Sequence, residues 1–235
     1  MKRLAIFVLA LLVIAAVALT ATASQRETVE FKRAQLRVEI NATDGDAGLQ
    51  IDLDHEPWRS LTVRDPDGKK ILDVVNHGVL KGYGLTELFS ESSEPAFDEF
   101  PLEEFQKLFP AGGYTFEGLT IDGIKMMSTV TLTHDFPAGP EFVSPVEDSD
   151  VPADGLVVEW LPVTAPAGIQ IVAYQVLVIL EDDPTKVFSA TLPTGVTSMA
   201  VPAEFLTIAG EYKAEVLAIE QSGNQTLSEV AFTVG

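Results

Sequence analysis

From residue 29 onward the chain is a succession of short segments in which apolar and polar residues alternate, each closed by Gly, Pro, Asp or Asn. A period of two puts every second side chain on one face, which is how half-buried antiparallel strands read. Leu36, Val38 and Ile40 alternate with polar neighbours, as do Leu49, Ile51 and Leu53, and Thr43-Asp44-Gly45-Asp46 between them supplies a turn. A hairpin is expected there. Leu61 and Val63 lead into Asp65-Pro66-Asp67-Gly68, where proline presets φ and glycine accepts a positive one, and Ile71 to Val75 returns as a second hairpin. One segment breaks the rhythm: Leu102, Phe105, Leu108 and Phe109 stand at helical spacing between Pro101 and Pro110, which predicts one short amphipathic helix. Strands are expected again from Gly112 to Phe116 and from Ile124 to His134. Gly78 to Gly84 lacks the Gly-Lys-Ser/Thr of a phosphate loop and reads as a flexible loop. Residues 24–138 thus form a mainly β domain of six or seven strands.

The opening residues carry Lys2 and Arg3, then an unbroken apolar run from Leu4 to Leu19, then Ala21-Thr22-Ala23. This three-part layout predicts a signal peptide over residues 1–23, cleaved after Ala23, and a secreted product that is extracellular or periplasmic. The run falls short of the ~20 residues that span a bilayer, so an uncleaved anchor is the weaker alternative. Loss of Lys2 and Arg3 takes the formal charge from −20 to −22. So acidic a surface repels phosphate, which argues against nucleic acid and against membrane association after cleavage. Solubility in a saline setting is the plainer meaning of that charge. The chain has no cysteine, so each domain must be held by its own core rather than by disulfides. Pro137-Ala138-Gly139-Pro140 marks a short, stiff boundary, and a contact between the two domains is expected across it.

Residues 139–235 contain regular strand-like runs with turn signals, as a β-sandwich does. Here Val158-Glu159-Trp160-Leu161-Pro162, Tyr174-Gln175-Val176 and Tyr212 to Ala218, followed by Gly223-Asn224 and Ser228, resemble the fibronectin type III family over about 95 positions. The resemblance implies an Ig-like sandwich with Trp160, Tyr174, Tyr212, Val216 and Ala218 facing the core. It also implies a tyrosine corner in which the Tyr212 hydroxyl bonds backbone near Leu206, although the family's usual proline is absent there and the spacing is one residue long. The expected fold is therefore mainly all-β: two β-sandwich-like domains in tandem, the first with a short helix. The two-domain layout resembles secreted bacterial proteins with a similar N-terminal module.

His55, His77 and His134 have no metal-ligand spacing, and neither a thiol nor a G-x-S-x-G elbow is present. The expectation is a non-catalytic binding or scaffold protein, with a protein or glycan partner at the cell envelope and no cofactor. Three surfaces are candidates. If Tyr174, Val176 and Val178 face inward, Leu177 and Ile179 face outward beside Leu217 and Ile219, an apolar patch of the kind that marks an interface. Trp58, out of phase with Leu61 and Val63, is a candidate carbohydrate platform, as in a carbohydrate-binding accessory module of an extracellular hydrolase system; packing against the helix is its plainer alternative. Asp44, Asp46, Asp52 and Asp54 gather around one turn and its following strand and could hold Ca²⁺, though without the order of a calcium loop.

Overall fold

The computed structural model describes residues 28–152 and 154–235; the signal-peptide reading falls on residues outside those described. The first unit runs β1 (Arg33–Asn41), β2 (Asp46–Arg64), β3 (Lys70–Val75), α1 (Leu80–Tyr83), β4 (Leu85–Glu91), α2 (Leu102–Leu108), β5 (Gly112–Thr120) and β6 (Lys125–Leu132). The second runs β7 (Phe142–Ser144), β8 (Ser149–Val151), β9 (Val157–Trp160), β10 (Ile171–Leu180), β11 (Asp183–Pro193), β12 (Ser198–Ala200), β13 (Gly210–Glu220) and β14 (Gln225–Val234). Among the described residues no helix is long and apolar enough to cross a membrane.

Both expected hairpins form. β1 and β2 pair antiparallel from Asn41↔Asp46 to Arg33↔Asp54. β2 and β3 close on a turn in which Gly68 has φ 80° and Asp65 accepts from the backbone N–H of Asp67 and Lys69. β2 is one strand of 19 residues that continues through Pro57. Its first half pairs with β1 and β4, and its second with β3 and β5. Residues 55–57 take no ladder partner, so Pro57, which has no N–H to give, sits where the strand passes from one set of partners to the next within the sheet. The inward side chains of both halves, Leu36, Val38, Leu53, Leu61, Val63, Tyr114 and Phe116 among them, make one core, closed at one side by Phe105 of α2. Residues 80–83, read from sequence as a loop, make a single helical turn.

In the second unit a three-stranded sheet, β12-β9-β7, faces β11-β10-β13-β14. Three strands against four, with β10 and β13 as antiparallel neighbours, is the fibronectin type III-like arrangement. Trp160, Tyr174, Val176, Val178, Tyr212, Val216 and Ala218 fill its separate core. Trp160 meets Tyr174 edge-on at 5.4 Å, and the Tyr174 hydroxyl accepts from the Val163 N–H at 2.8 Å. The Tyr212 hydroxyl donates to the carbonyl of Ile208 at 2.8 Å, two residues beyond Leu206. Tyr114 in the first unit repeats this device, donating to Pro110 at 3.0 Å, also four residues back.

Candidate functional site at the junction of the two units

β1 is the hairpin partner of β2 on one side and pairs in parallel with β14 on the other: Glu39↔Gln225, Ile40↔Thr226 and Asn41↔Leu227. The larger sheet of the second unit therefore runs on without a break into the first, giving eleven strands in all. The pairing is extended past β1 by the Ala42 N–H on the Leu227 carbonyl at 2.8 Å and by the Glu229 N–H on the Thr43 hydroxyl at 3.0 Å.

Asn224 fixes this register. It follows Gly223, whose φ of 100° lets the β13–β14 turn close, and its residue is 1% exposed. Its Oδ1 accepts the Val38 N–H at 2.9 Å, while its Nδ2 donates to the carbonyls of Thr133 and Asp135 at 3.1 and 3.2 Å. One side-chain amide thus binds β14's own turn to β1 and to the segment joining the units, and gives a partner to the backbone N–H of Val38, a buried residue. Gly139 in that segment lies so close that a Cβ would fall 2.5 Å from the Ser228 hydroxyl and 2.7 Å from the Ala42 methyl.

On the outer face of the same sheet three carboxylates converge. Glu39 of β1, Glu91 at the end of β4, and Glu94 just beyond it place their oxygens within 4.8 Å of one another, the one such cluster among the described residues. Gln225 of the second unit donates to Glu39, and Gln50 donates to Glu91 at 2.7 Å while accepting from Arg37 at 2.7 Å. Glu94 can lie on the sheet because residue 48 is glycine: a Cβ there would stand 2.4 Å from its oxygen. Burial, followed by the charges of Glu91, Asp46 and Glu39, pushes the Glu94 carboxyl up to about 7. Burial likewise raises that of Glu39, against the pull of the Gln225 hydrogen bond. Such oxygens are the ligand type of a hard cation, and without one they disfavour full ionisation.

The four aspartates expected to gather do not. Asp52 pairs with Arg33 at 3.0 Å, and Asp44 accepts from Asn41 at 3.1 Å. Asp46 and Asp52 lie six residues apart on one extended strand, which is about 20 Å at the rise of a β-strand. Trp58 is not a surface platform: it is 0% exposed, in the same core as Phe105. Against β5, Trp58 pairs with Thr120 and Ser60 with Leu119, so Arg59 is an extra residue, and this bulge reverses the phase counted back from Leu61. The aliphatic patch is also corrected. Leu177, Ile179 and Ile219 are half-buried on the outer face, but Leu217, opposite Leu227, is only 3% exposed. Lys213, held between Glu215 at 3.0 Å and Glu229 at 3.2 Å, occupies the same face. Burial opposes its charge, and the two carboxylates outweigh that and hold the ammonium above its usual range.

No family model matches the chain, and no curated protein does. Among solved structures it is similar to the crystal structure of chicken CNTN1 FN1–FN3 domains, at 12% identity and a TM-score of 0.34, over 88% of this chain and 64% of that one. It is similar also to the tetra-tandem repeat in the extending region of a large adhesion protein, at 14% identity and a TM-score of 0.30, over 86% of this chain and 50% of that one. The chain therefore spans less than two thirds of either structure's length, and at such scores its fold class rests on its own strand layout, mainly β and sandwich-like with a fibronectin type III-like second unit.

Proposed function

We propose that this is an exported, non-catalytic binding or scaffold protein whose two β units work as one body. The parallel pairing of β1 with β14 carries the reading. Parallel neighbours are ordinarily buried and backed by crossovers, so joining two units this way, with Asn224 and Gly139 packed into the seam, fixes their relative placement. Fixed placement serves a ligand that touches both units, because the ordering cost of binding is already met. Export is supported by the Lys2-Arg3 start, the Leu4–Leu19 run and the Ala21-Thr22-Ala23 site. The glycan-platform alternative loses its main support with Trp58 in the core.

The test uses residues 24–235 as bait on the native cell envelope, followed by affinity measurement for whatever is retained. A specific protein or glycan ligand that binds the Asn224→Ala variant at least tenfold more weakly is the expected result. Turnover of that ligand by the bait, or binding indifferent to the junction, would overturn the proposal.

A further inference from the structure

The loop between β3 and β4 is fastened at both ends and apolar in the middle. Asn76 at its start is buried, donating from Nδ2 to the Trp58 carbonyl at 2.7 Å and from its backbone to Arg59 at 2.8 Å. Gly84 at its end has φ 85°, and a Cβ there would fall 2.7 Å from Pro57 and 3.1 Å from Ile121. Between these anchors the chain makes the single turn of α1, with the Tyr83 N–H on the Val79 carbonyl at 3.2 Å and Gly84 on Leu80 at 2.8 Å. Yet Val79 is 87% exposed and Tyr83 77%, with Leu80 and Val75 also open to solvent. Nothing lies within 4 Å of where a Cβ on Gly78 or Gly82 would be, so the turn is open to solvent at both glycines. The fold orders this tip without covering it.

Three observations identify what meets it. First, Val74 to Thr86 holds no Asp or Glu in a chain with 35 of them, and Lys81 is at the centre of the tip. Second, Thr28 joins the fold beside Ser60 and Met127, with Val29 bonded to Lys125 just past the turn whose Ile121 touches Gly84. The tip and the start of the described chain therefore share one end of the first unit. β4 runs the seven residues from that end to the junction, about 20 Å, so the tip lies away from the seam between the units. Third, four apolar side chains on a convex turn fall far short of the about 20–30 residues a side of a stable protein interface. A bilayer surface needs only a few: aliphatic side chains at the acyl boundary, an aromatic ring among headgroups and a lysine reaching back to water.

We propose that residues 77–83 are a bilayer-docking tip, in which Val79, Leu80 and Tyr83 enter the headgroup region of a zwitterionic lipid surface. The acidity of the whole chain disfavours an anionic bilayer, and the tip itself carries no carboxylate. This inference is independent of what the junction holds in place.

Tyr83→Trp supplies the probe, because Trp58 and Trp160 are both buried and respond little to lipid. The variant is made in residues 24–235, which hold both cores in full, and titrated with phosphatidylcholine vesicles with and without brominated acyl chains. The expected result is a blue-shifted emission quenched by the brominated lipid. Adding Val79→Asp should weaken the partition at least tenfold with an unchanged melting midpoint, since Val79 contacts little. An emission indifferent to lipid, a shift that follows protein concentration without lipid and so reports a second copy, or full partition by the Val79→Asp variant would each overturn the proposal.

Discussion

Asn224 accepts the backbone N–H of Val38 at 2.9 Å although 186 positions separate them in the chain. The bond ties the turn after β13 to the middle of β1, and Asn224→Ala leaves that N–H and the carbonyls of Thr133 and Asp135 without their partner. We expect a loss of about 2–3 kcal/mol in urea unfolding, the cost of one orphaned buried N–H together with two hydrogen bonds lost nearer the surface. Asn224→Asp keeps the acceptor but sets a carboxylate oxygen against those two carbonyls at a buried position, and should cost at least as much. Equal stability of all three would contradict the role assigned to this side chain.

Trp58 is a core residue, so Trp58→Ala should destabilise the chain by about 3–5 kcal/mol, as large-to-small changes of this size do. A variant with unchanged melting that lost binding on a glycan array would restore the platform reading and contradict the burial.

Leu177 and Leu217 share a face and differ in what surrounds them. Leu217→Lys places an ammonium in a closed position opposite Leu227 and should cost about 2–4 kcal/mol. Leu177→Lys, half-buried beside Glu215, should stay within about 1 kcal/mol of the parent. Urea titration of the two variants separates them, and equal losses would contradict the asymmetry.

Glu94 makes stability depend on pH. Its folded-state value of about 7 lies above the ordinary 4.5, so its contribution is fully present below pH 4.5 and is lost as pH rises through 7. Solvent screens much of the effect, which holds it below about 1 kcal/mol. Glu94→Gln should therefore flatten the melting curve against pH between these values and raise the midpoint at pH 8 by about 2 °C. Identical pH profiles for parent and variant would show that the three carboxylates do not repel one another.

What the sequence made legible was local. Alternation and turn chemistry gave the hairpins of β1–β2 and β2–β3, and helical spacing around Phe105 gave α2. The residues carrying the family resemblance supplied the second core, from Trp160 to Ala218. Pro57 hid the length of β2 because proline in a strand pattern reads as a stop, whereas here it occupies a short stretch without ladder partners inside one continuous strand. The bulge at Arg59 hid the phase of Trp58, since a single inserted residue leaves no mark in the alternation. Glu39, Glu91 and Glu94 come from separate segments, and the β1–β14 pairing joins residues more than 180 positions apart. Neither has a signature in sequence spacing; Asn224 after Gly223 had the appearance of an ordinary turn residue.

The continuous sheet makes the relative placement of the units directly measurable. The chain has no cysteine, so Thr86→Cys on β4 and Val187→Cys on β11 would carry the only spin labels, one on each unit at exposed positions. Pulsed dipolar spectroscopy between them should give one narrow distance distribution, and Asn224→Ala should broaden it. A broad or multiple distribution in the parent chain, such as two units on a free linker produce, would contradict the account that β1 and β14 join them into one body.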